Sequence, residues 1–239
     1  MTIVDDFVSS LGGSSAYNVN STYFDSKGDH ILNALAFNPA VDTYSVGYTF
    51  GKNITDANVQ SIVGAAISGG HLPLNQDAIY FVLTAPDVHE TAPFGGFCTV
   101  FCGYHGPSTT IVTGKSIKYS FVGDASLQCP SGCIGNVAVF GDGNSPNGDL
   151  GADGMVSVMF HELSETVSDP QVGVPAAWQG PGGESGDLSN VNFGTTFLAP
   201  NGSHANQTLG GKDYLTQTMF KLLGTVPPRV PGVCVNNLP

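Results

Sequence analysis

Basic residues are scarce: the 239 residues hold seven Lys plus Arg against nineteen Asp plus Glu, a formal net charge of −12. That excludes nucleic acid as a partner, because neutralising phosphates takes a basic face. An anionic membrane surface is disfavoured for the same reason. Charge of either sign is low, 11% of residues against the roughly 25% usual in globular domains. Ser, Thr, Asn, Gln and Gly must therefore carry the surface. Such a surface suits an extracellular protein, and the surplus of acids is suited to collecting a cation. No run approaches the ~20 apolar residues of a membrane span, so none is expected. The start, Met1-Thr-Ile-Val-Asp-Asp6, lacks the basic and apolar stretches of a signal peptide. If the protein is secreted, Met1 is not its native beginning.

Hydrophobic residues make up 41% of the chain, enough to bury a sizeable core. Ile3, Val4, Phe7, Val8 and Leu11 repeat at helical spacing and stop at Gly12-Gly13. Thr55-Asp56 can cap a second helix that runs to about Ser68, with Gly69-Gly70 closing it. Strands are predicted at Tyr44–Phe50, Ile79–Thr84, Ile117–Val122 and Asn136–Phe140, with short ones at Phe193–Leu198 and Tyr214–Leu222. Pro86 to Pro107 reads as loop, as does Gly141 to Gly151. A third helix is predicted from about Asp153 to Ser168, where Asp169-Pro170 ends it. Neither a linker nor a repeat is visible, so residues 1–239 are read as one α/β domain, a mixed sheet covered by helices and bearing long loops.

Four of the five cysteines stand as Cys98-x3-Cys102 and Cys129-x3-Cys133, and Cys234 stands alone. Two such pairs can make a four-thiolate zinc site, but low charge and four Asn-X-Ser/Thr sequons, at Asn20, Asn53, Asn201 and Asn206, point to an oxidising compartment and to disulfides. Three pairings of the four cysteines are open.

The chemistry is concentrated in His161-Glu162-Leu163-Ser164-Glu165. Positions i and i+4 share a helix face, so His161 and Glu165 can hold one metal ion. Glu162, rotated about 100° around the axis, is placed to act as a base on water, as the Glu of H-E-x-x-H zinc proteases does. Here Glu165 replaces the second His, and carboxylate is an acceptable zinc ligand. Glu184, 19 residues after Glu165 in Gly182-Gly-Glu-Ser-Gly-Asp187, is the candidate third ligand. Asp187, Asp169 and His105 are further candidates. A solvated polar face is the plain alternative, but Met155-Val-Ser-Val-Met-Phe160 just before the motif is almost wholly apolar, and ionisable groups there need a partner or a metal. One His and two carboxylates leave a zinc site neutral, so its water should be a weak acid. Oxygen-rich ligands also suit calcium or manganese. The expectation is one divalent metal, zinc first.

Several stretches together resemble the EXORDIUM / phosphate-induced family of secreted proteins: Tyr48-Thr-Phe-Gly-Lys52 with Thr55-Asp-Ala-Asn58, Phe97-Cys98-x3-Cys102-Gly-Tyr-His105-Gly106, Gln128-Cys129-Pro130-x2-Cys133, and Asp153-Gly-Met-Val156 leading into His161–Glu165 and Asp169-Pro170. Trp178 and the loop to Glu184 and Asp187-Leu188 continue the likeness. The resemblance implies a cell-wall or extracellular protein of growth responses. With the helix motif it implies a zincin-like fold and a metallopeptidase-like hydrolase, or a non-enzymatic matrix or growth-signalling module with a structural ion. The family's domain opens with an apolar strand that is absent here, and Ser189 stands where relatives tend to carry Cys. A matrix partner and self-association, through an open sheet edge or through Cys234, are the expected contacts.

Overall fold

The computed structural model describes residues 3–172, 183–224 and 232–239. In chain order these form α1 (Ile3–Leu11), a 3-10 turn (Tyr17–Thr22), β1 (Asn53–Thr55), α2 (Asp56–Ser68), β2 (Ile79–Thr84), β3 (His89–Ala92), β4 (Gly95–Gly96), β5 (Gly103–Val112) and β6 (Lys115–Gly123). Then follow α3 (Pro130–Cys133), α4 (Gly135–Ala138), α5 (Leu150–Ser168), a 3-10 turn (Asp187–Ser189), β7 (Phe197–Leu198), β8 (His204–Ala205), β9 (Gln207–Leu209), β10 (Lys212–Tyr214), β11 (Met219–Leu222) and β12 (Gly232–Val235). Trp178 lies outside the described residues.

The central sheet has the order β2-β6-β5, with β2 parallel to β6 and β5 antiparallel to it. Alternation splits its side chains between two cores. Ile117, Tyr119 and Phe121 of β6 join Tyr80 and Val82 of β2 under Val59 and Val63 of α2. Val122 turns to the opposite face, where α5 and α1 pack Val156, Phe160, Leu163, Phe7 and Leu11 against Tyr214 and Met219. The rings of Phe7 and Phe160 meet edge to face at 6.1 Å. The result is a mixed α/β domain with helices on both faces of a small sheet. Among the described residues no helix is long and apolar enough to cross a membrane.

Local chemistry accounts for the helix ends. Thr55 and Asn58 close a capping box around the first turn of α2, and Gly70 leaves it at φ +71°. The carboxylate of Asp149 accepts from the Ala152 N–H at 3.1 Å, so α5 starts earlier than about Asp153. This helix buries residues on every side, Asp153, Ser157, Glu162 and Glu165 among them. It is the axis of the domain, and its acids face protein.

Three expectations need correction. Tyr44–Phe50 is not a strand: its period-2 pattern finds no ladder, Tyr44 and Tyr48 are exposed, and Tyr44 stacks on His71. Asn136–Phe140 is not a strand either. The chain there turns helically as α4, directly after Cys133, with the Ala138 N–H donating to the Ile134 carbonyl. Within Pro86–Pro107, β3 pairs in parallel with β1, β4 pairs antiparallel with β3, and β5 begins. The cysteines form disulfides, Cys98–Cys129 and Cys102–Cys133, each spanning 31 residues, which replaces the four-thiolate alternative. Cys234 is a free thiol against the Ser189 hydroxyl.

Candidate metal centre

Three elements supply the cluster. The C-terminal half of α5 brings His161, Glu162 and Glu165. β5 brings His105, and the loop after residue 182 brings Glu184 and Asp187. Glycines permit this approach. A Cβ on Gly103 would lie 2.6 Å from Val158 Cγ1 and 3.1 Å from Glu162 Oε1, so only glycine lets α5 sit this close to β5. Two residues on, and so on the same face, His105 then meets the helix. A Cβ on Gly186 would lie 2.8 Å from three atoms of the His161 ring, which ties the loop's closure to glycine at that position.

The imidazole of His161 sits 3.0 Å by its Nε2 from Glu165 Oε1 and 3.8 Å from Asp187 Oδ1. Its Nδ1 lies 3.1 Å from Gln217 Oε1, while Gln217 Nε2 donates to the Gly186 carbonyl at 2.9 Å. Because the amide nitrogen is committed to Gly186, the amide oxygen faces the ring, and Nδ1 must carry a proton. Nε2 is left to face the acids. Glu165 Oε1 also accepts the backbone N–H groups of Gly186 and Asp187, at 3.1 and 3.0 Å. The donors of His161, Glu165 and Asp187 lie within 4.8 Å of one another.

A second group adjoins the first. His105 Nδ1 lies 3.1 Å from Glu162 Oε2 and 3.6 Å from Glu165 Oε2, and its Nε2 lies 3.5 Å from Glu184 Oε1. The side chain of His105 is only 3% exposed. Among the described residues neither His105 Nε2 nor Glu184 Oε1 finds a well-formed hydrogen bond. Asp169 caps the end of α5, its N–H on the Glu165 carbonyl at 2.6 Å, and is fully buried. Of the candidates read from the sequence, His161, Glu165 and Asp187 are brought together. Glu184 stands instead on His105, and Glu162 bonds His105. Asp169 belongs to neither triad of ligand atoms.

Electrostatics sharpens the arrangement. Burial works to lower His105, but the hydrogen bond and charge of Glu162 and the carboxylate of Glu184 outweigh it and hold the ring up at about 10. His161 is likewise opposed by burial and raised to about 10 by Glu165. Burial pushes Glu162, Glu184 and Asp169 upward. Glu165 resists burial and stays low because of the charge of His161. Among the described residues the lysine ion pairs are Lys52–Asp87 and Lys212–Asp6, both elsewhere. Five carboxyls, Glu162, Glu165, Glu184, Asp187 and Asp169, thus stand around two imidazoles, a surplus of acid that a divalent cation would offset. The donor set of imidazole and carboxylate fits such an ion.

The first triad opens on a cleft of about 330 Å³ with His161, Glu162 and Asp187 in its wall. Phe101, Val191 and Phe193 line the apolar side, beside the Cys102–Cys133 disulfide. Gln217 also lines this cleft; no spacing or motif in the sequence singles it out.

A family model described as the phosphate-induced protein 1 conserved region matches residues 1–192. Protein EXORDIUM-like 5 of Arabidopsis thaliana is 29% identical over 213 residues, which cover 81% of this chain and 57% of that protein. EXORDIUM-like 3 of the same plant is 34% identical over 68% of this chain and 49% of its own length. Protein PHOSPHATE-INDUCED 1 of Nicotiana tabacum is 31% identical, over 70% and 56% respectively. The chain therefore spans about half the length of these relatives. No solved structure matches it. With most of its length covered by that conserved region, the chain belongs to the phosphate-induced protein 1 family.

Proposed function

We propose that this protein is a secreted metal-dependent hydrolase, built on a zinc-protease-like helix, whose ion is held by His161, Glu165 and Asp187. The observation that carries this reading is the convergence of those three donors within 4.8 Å of one another, with His161 and Asp187 in the wall of a cleft and Glu165 buried behind them, inside an acid cluster that no lysine ion pair neutralises among the described residues. Zinc suits one imidazole and two carboxylates, and manganese or calcium are the alternatives for an oxygen-rich set. Secretion is supported by the two disulfides and by the scarcity of charge.

When bound, the ion supplies Lewis acidity toward a polarised oxygen. Glu162 faces the cleft with His105 behind it, so it is oriented to take a proton from water and return it to a leaving group. Because burial raises Glu162, it keeps a transferred proton more readily than a solvated acid would. Gln217 holds His161 by Nδ1 and keeps Nε2 aimed at the ion's place, the outer-shell role familiar from metal-bound histidines.

Elemental analysis of the purified chain after loading with zinc, manganese or calcium tests the reading. About one ion per chain is expected, lost in His161→Ala. Glu162→Gln should retain the ion and lower turnover of a peptide library by about 10²–10⁴-fold. A chain that takes up none of the three ions refutes the metal centre, and a loaded chain that cleaves no peptide or ester refutes hydrolysis. The ligand set itself favours one rival: it leaves a divalent ion neutral and its water less acidic. Under that reading the ion is structural, in a matrix or growth-signalling module of the cell wall. Chelation would then lower Tm, with Glu162→Gln changing nothing else.

A further inference from the structure

We infer that Asn53 is the N-glycan acceptor of this chain, and that the fold rejects a sugar at the other three sequons. The attachment replaces one hydrogen of the asparagine amide with a bulky, solvated group. A tolerant site must therefore present Nδ2 to solvent and must not need both of its hydrogens. Sequence treats Asn20, Asn53, Asn201 and Asn206 alike, and the structure separates them.

Asn20 is fully buried, with its amide directed at Ser164 Oγ of α5 at 3.4 Å. A sugar there would have to occupy the core between the N-terminal 3-10 turn and α5. Asn206 is 7% exposed. Both its amide hydrogens are spent, on the Phe193 carbonyl at 2.8 Å and the Thr216 carbonyl at 2.6 Å, while its oxygen accepts from the Thr216 N–H at 2.9 Å. Asn201 is exposed as a residue, but its amide bridges the carbonyls of Ser145 and Pro146 at 2.8 and 3.3 Å. Its oxygen closes a turn with the N–H and hydroxyl of Ser203 at 3.1 and 2.7 Å.

Asn53 differs on each count. It is the exposed first residue of β1, in which Ile54 turns inward and Asn53 and Thr55 turn out. β1 is an edge strand of the sheet β1-β3-β4, and among the described residues no strand lies beyond it and no side-chain hydrogen bond holds the Asn53 amide. A glycan on this residue projects into water and displaces nothing.

The test is secretion of the chain from a eukaryotic cell behind an added leader peptide, followed by enzymatic release of N-glycans and peptide mass mapping of the deamidated acceptor. One occupied site at Asn53 is expected, with the glycan mass abolished in Asn53→Gln and secretion preserved. Asn20→Gln and Asn206→Gln should leave the glycan mass unchanged. A folded product with no glycan, or with sugar on Asn20, Asn201 or Asn206, overturns the inference. So does a wild-type chain retained inside the cell with those positions occupied.

Discussion

Replacing Glu90 with glutamine removes a carboxyl for which the surrounding hydroxyls supply too few protons. Glu90, on β3, is 2% exposed. The single hydroxyl proton of Tyr104 faces both Glu90 Oε1 at 3.2 Å and Asp56 Oδ1 at 3.0 Å. Asp56 already receives Tyr119 at 2.7 Å and the Gln60 amide at 2.7 Å, whereas Glu90 Oε2 has no hydrogen bond among the described residues. The network closes only if Glu90 is protonated and donates to Tyr104, which then donates to Asp56. Burial accordingly raises the Glu90 carboxyl to about 7, with the Tyr104 hydrogen bond opposing and the charge of Asp56 reinforcing the rise. A carboxyl raised on folding contributes stability that is complete below its unfolded value of about 4.3 and is lost as pH rises through 7. A tenfold change in proton affinity corresponds to about 1.4 kcal/mol, so the rise to about 7 contributes about 3.5 kcal/mol at low pH, of which about 1 kcal/mol is gone by pH 5, where the unfolded chain has already ionised, and nearly all by pH 8, where Glu90 ionises in the fold. Glutamine cannot ionise and keeps a donor for Tyr104. Urea unfolding of wild type and Glu90→Gln at pH 5 and pH 8 should show the variant gaining about 2.5 kcal/mol relative to wild type between the two. Other titrating groups are common to both chains and cancel. A difference that is the same at both pH values would refute the proton count.

Gly186→Ala should push the loop off His161, costing about 1–3 kcal/mol for the overpacked contact and at least tenfold in zinc affinity; calorimetry and thermal unfolding read both. Gln217→Ala should weaken metal binding by about 10–100-fold, as loss of an outer-shell partner does, with a smaller effect on Tm than Gly186→Ala. Ser189→Cys should form a third disulfide with Cys234, because the two side chains already touch across a separation of 45 residues. The expected gain is about 2–4 kcal/mol, lost on reduction. Absence of the cross-link under oxidising conditions would refute the packing of Ser189 on Cys234. Replacing Cys98 and Cys129 together by Ala should cost about 2–4 kcal/mol by the same loop-closure argument, measured by urea unfolding.

Elements with a long, consistent period were legible in the sequence. Helices α1 and α2 announce themselves by apolar spacing and by glycine stops, and β2 and β6 by their Val, Ile, Tyr and Phe content. The two segments wrongly read as strands are short. Asn136-Val-Ala-Val-Phe140 has strand composition, but its neighbour Cys133 is pinned to Cys102, and the chain there bonds locally, Val139 N–H to the Gly135 carbonyl. Tyr44–Phe50 alternates, yet Gly47 takes φ +59° and no strand comes alongside among the described residues. A pattern of period 2 shows what a strand would need, and only a partner's edge makes it one.

The candidate site was legible where chemistry and helical geometry coincide, and opaque where a loop decides. The i, i+4 rule alone aligns His161 with Glu165, whose side chains meet at 3.0 Å. Nothing in Gly182–Asp187 tells which acid reaches that pair, since Glu184 and Asp187 are three residues apart in a glycine-rich stretch. The choice is made by backbone: Gly183 at φ +125° turns Glu184 toward His105. The N–H groups of Gly186 and Asp187 then dock on Glu165 and deliver the Asp187 carboxylate to the His161 side. Such docking requires an unobstructed approach to the imidazole, which is why glycine at 186 matters more to the geometry than either acid does. His105, three residues past Cys102, stands in the sequence as a further candidate, yet what places it is Gly103, two residues earlier, where the missing side chain admits α5. The candidate ligands can be read from residue type. The glycines that bring them into one cluster show only in three dimensions.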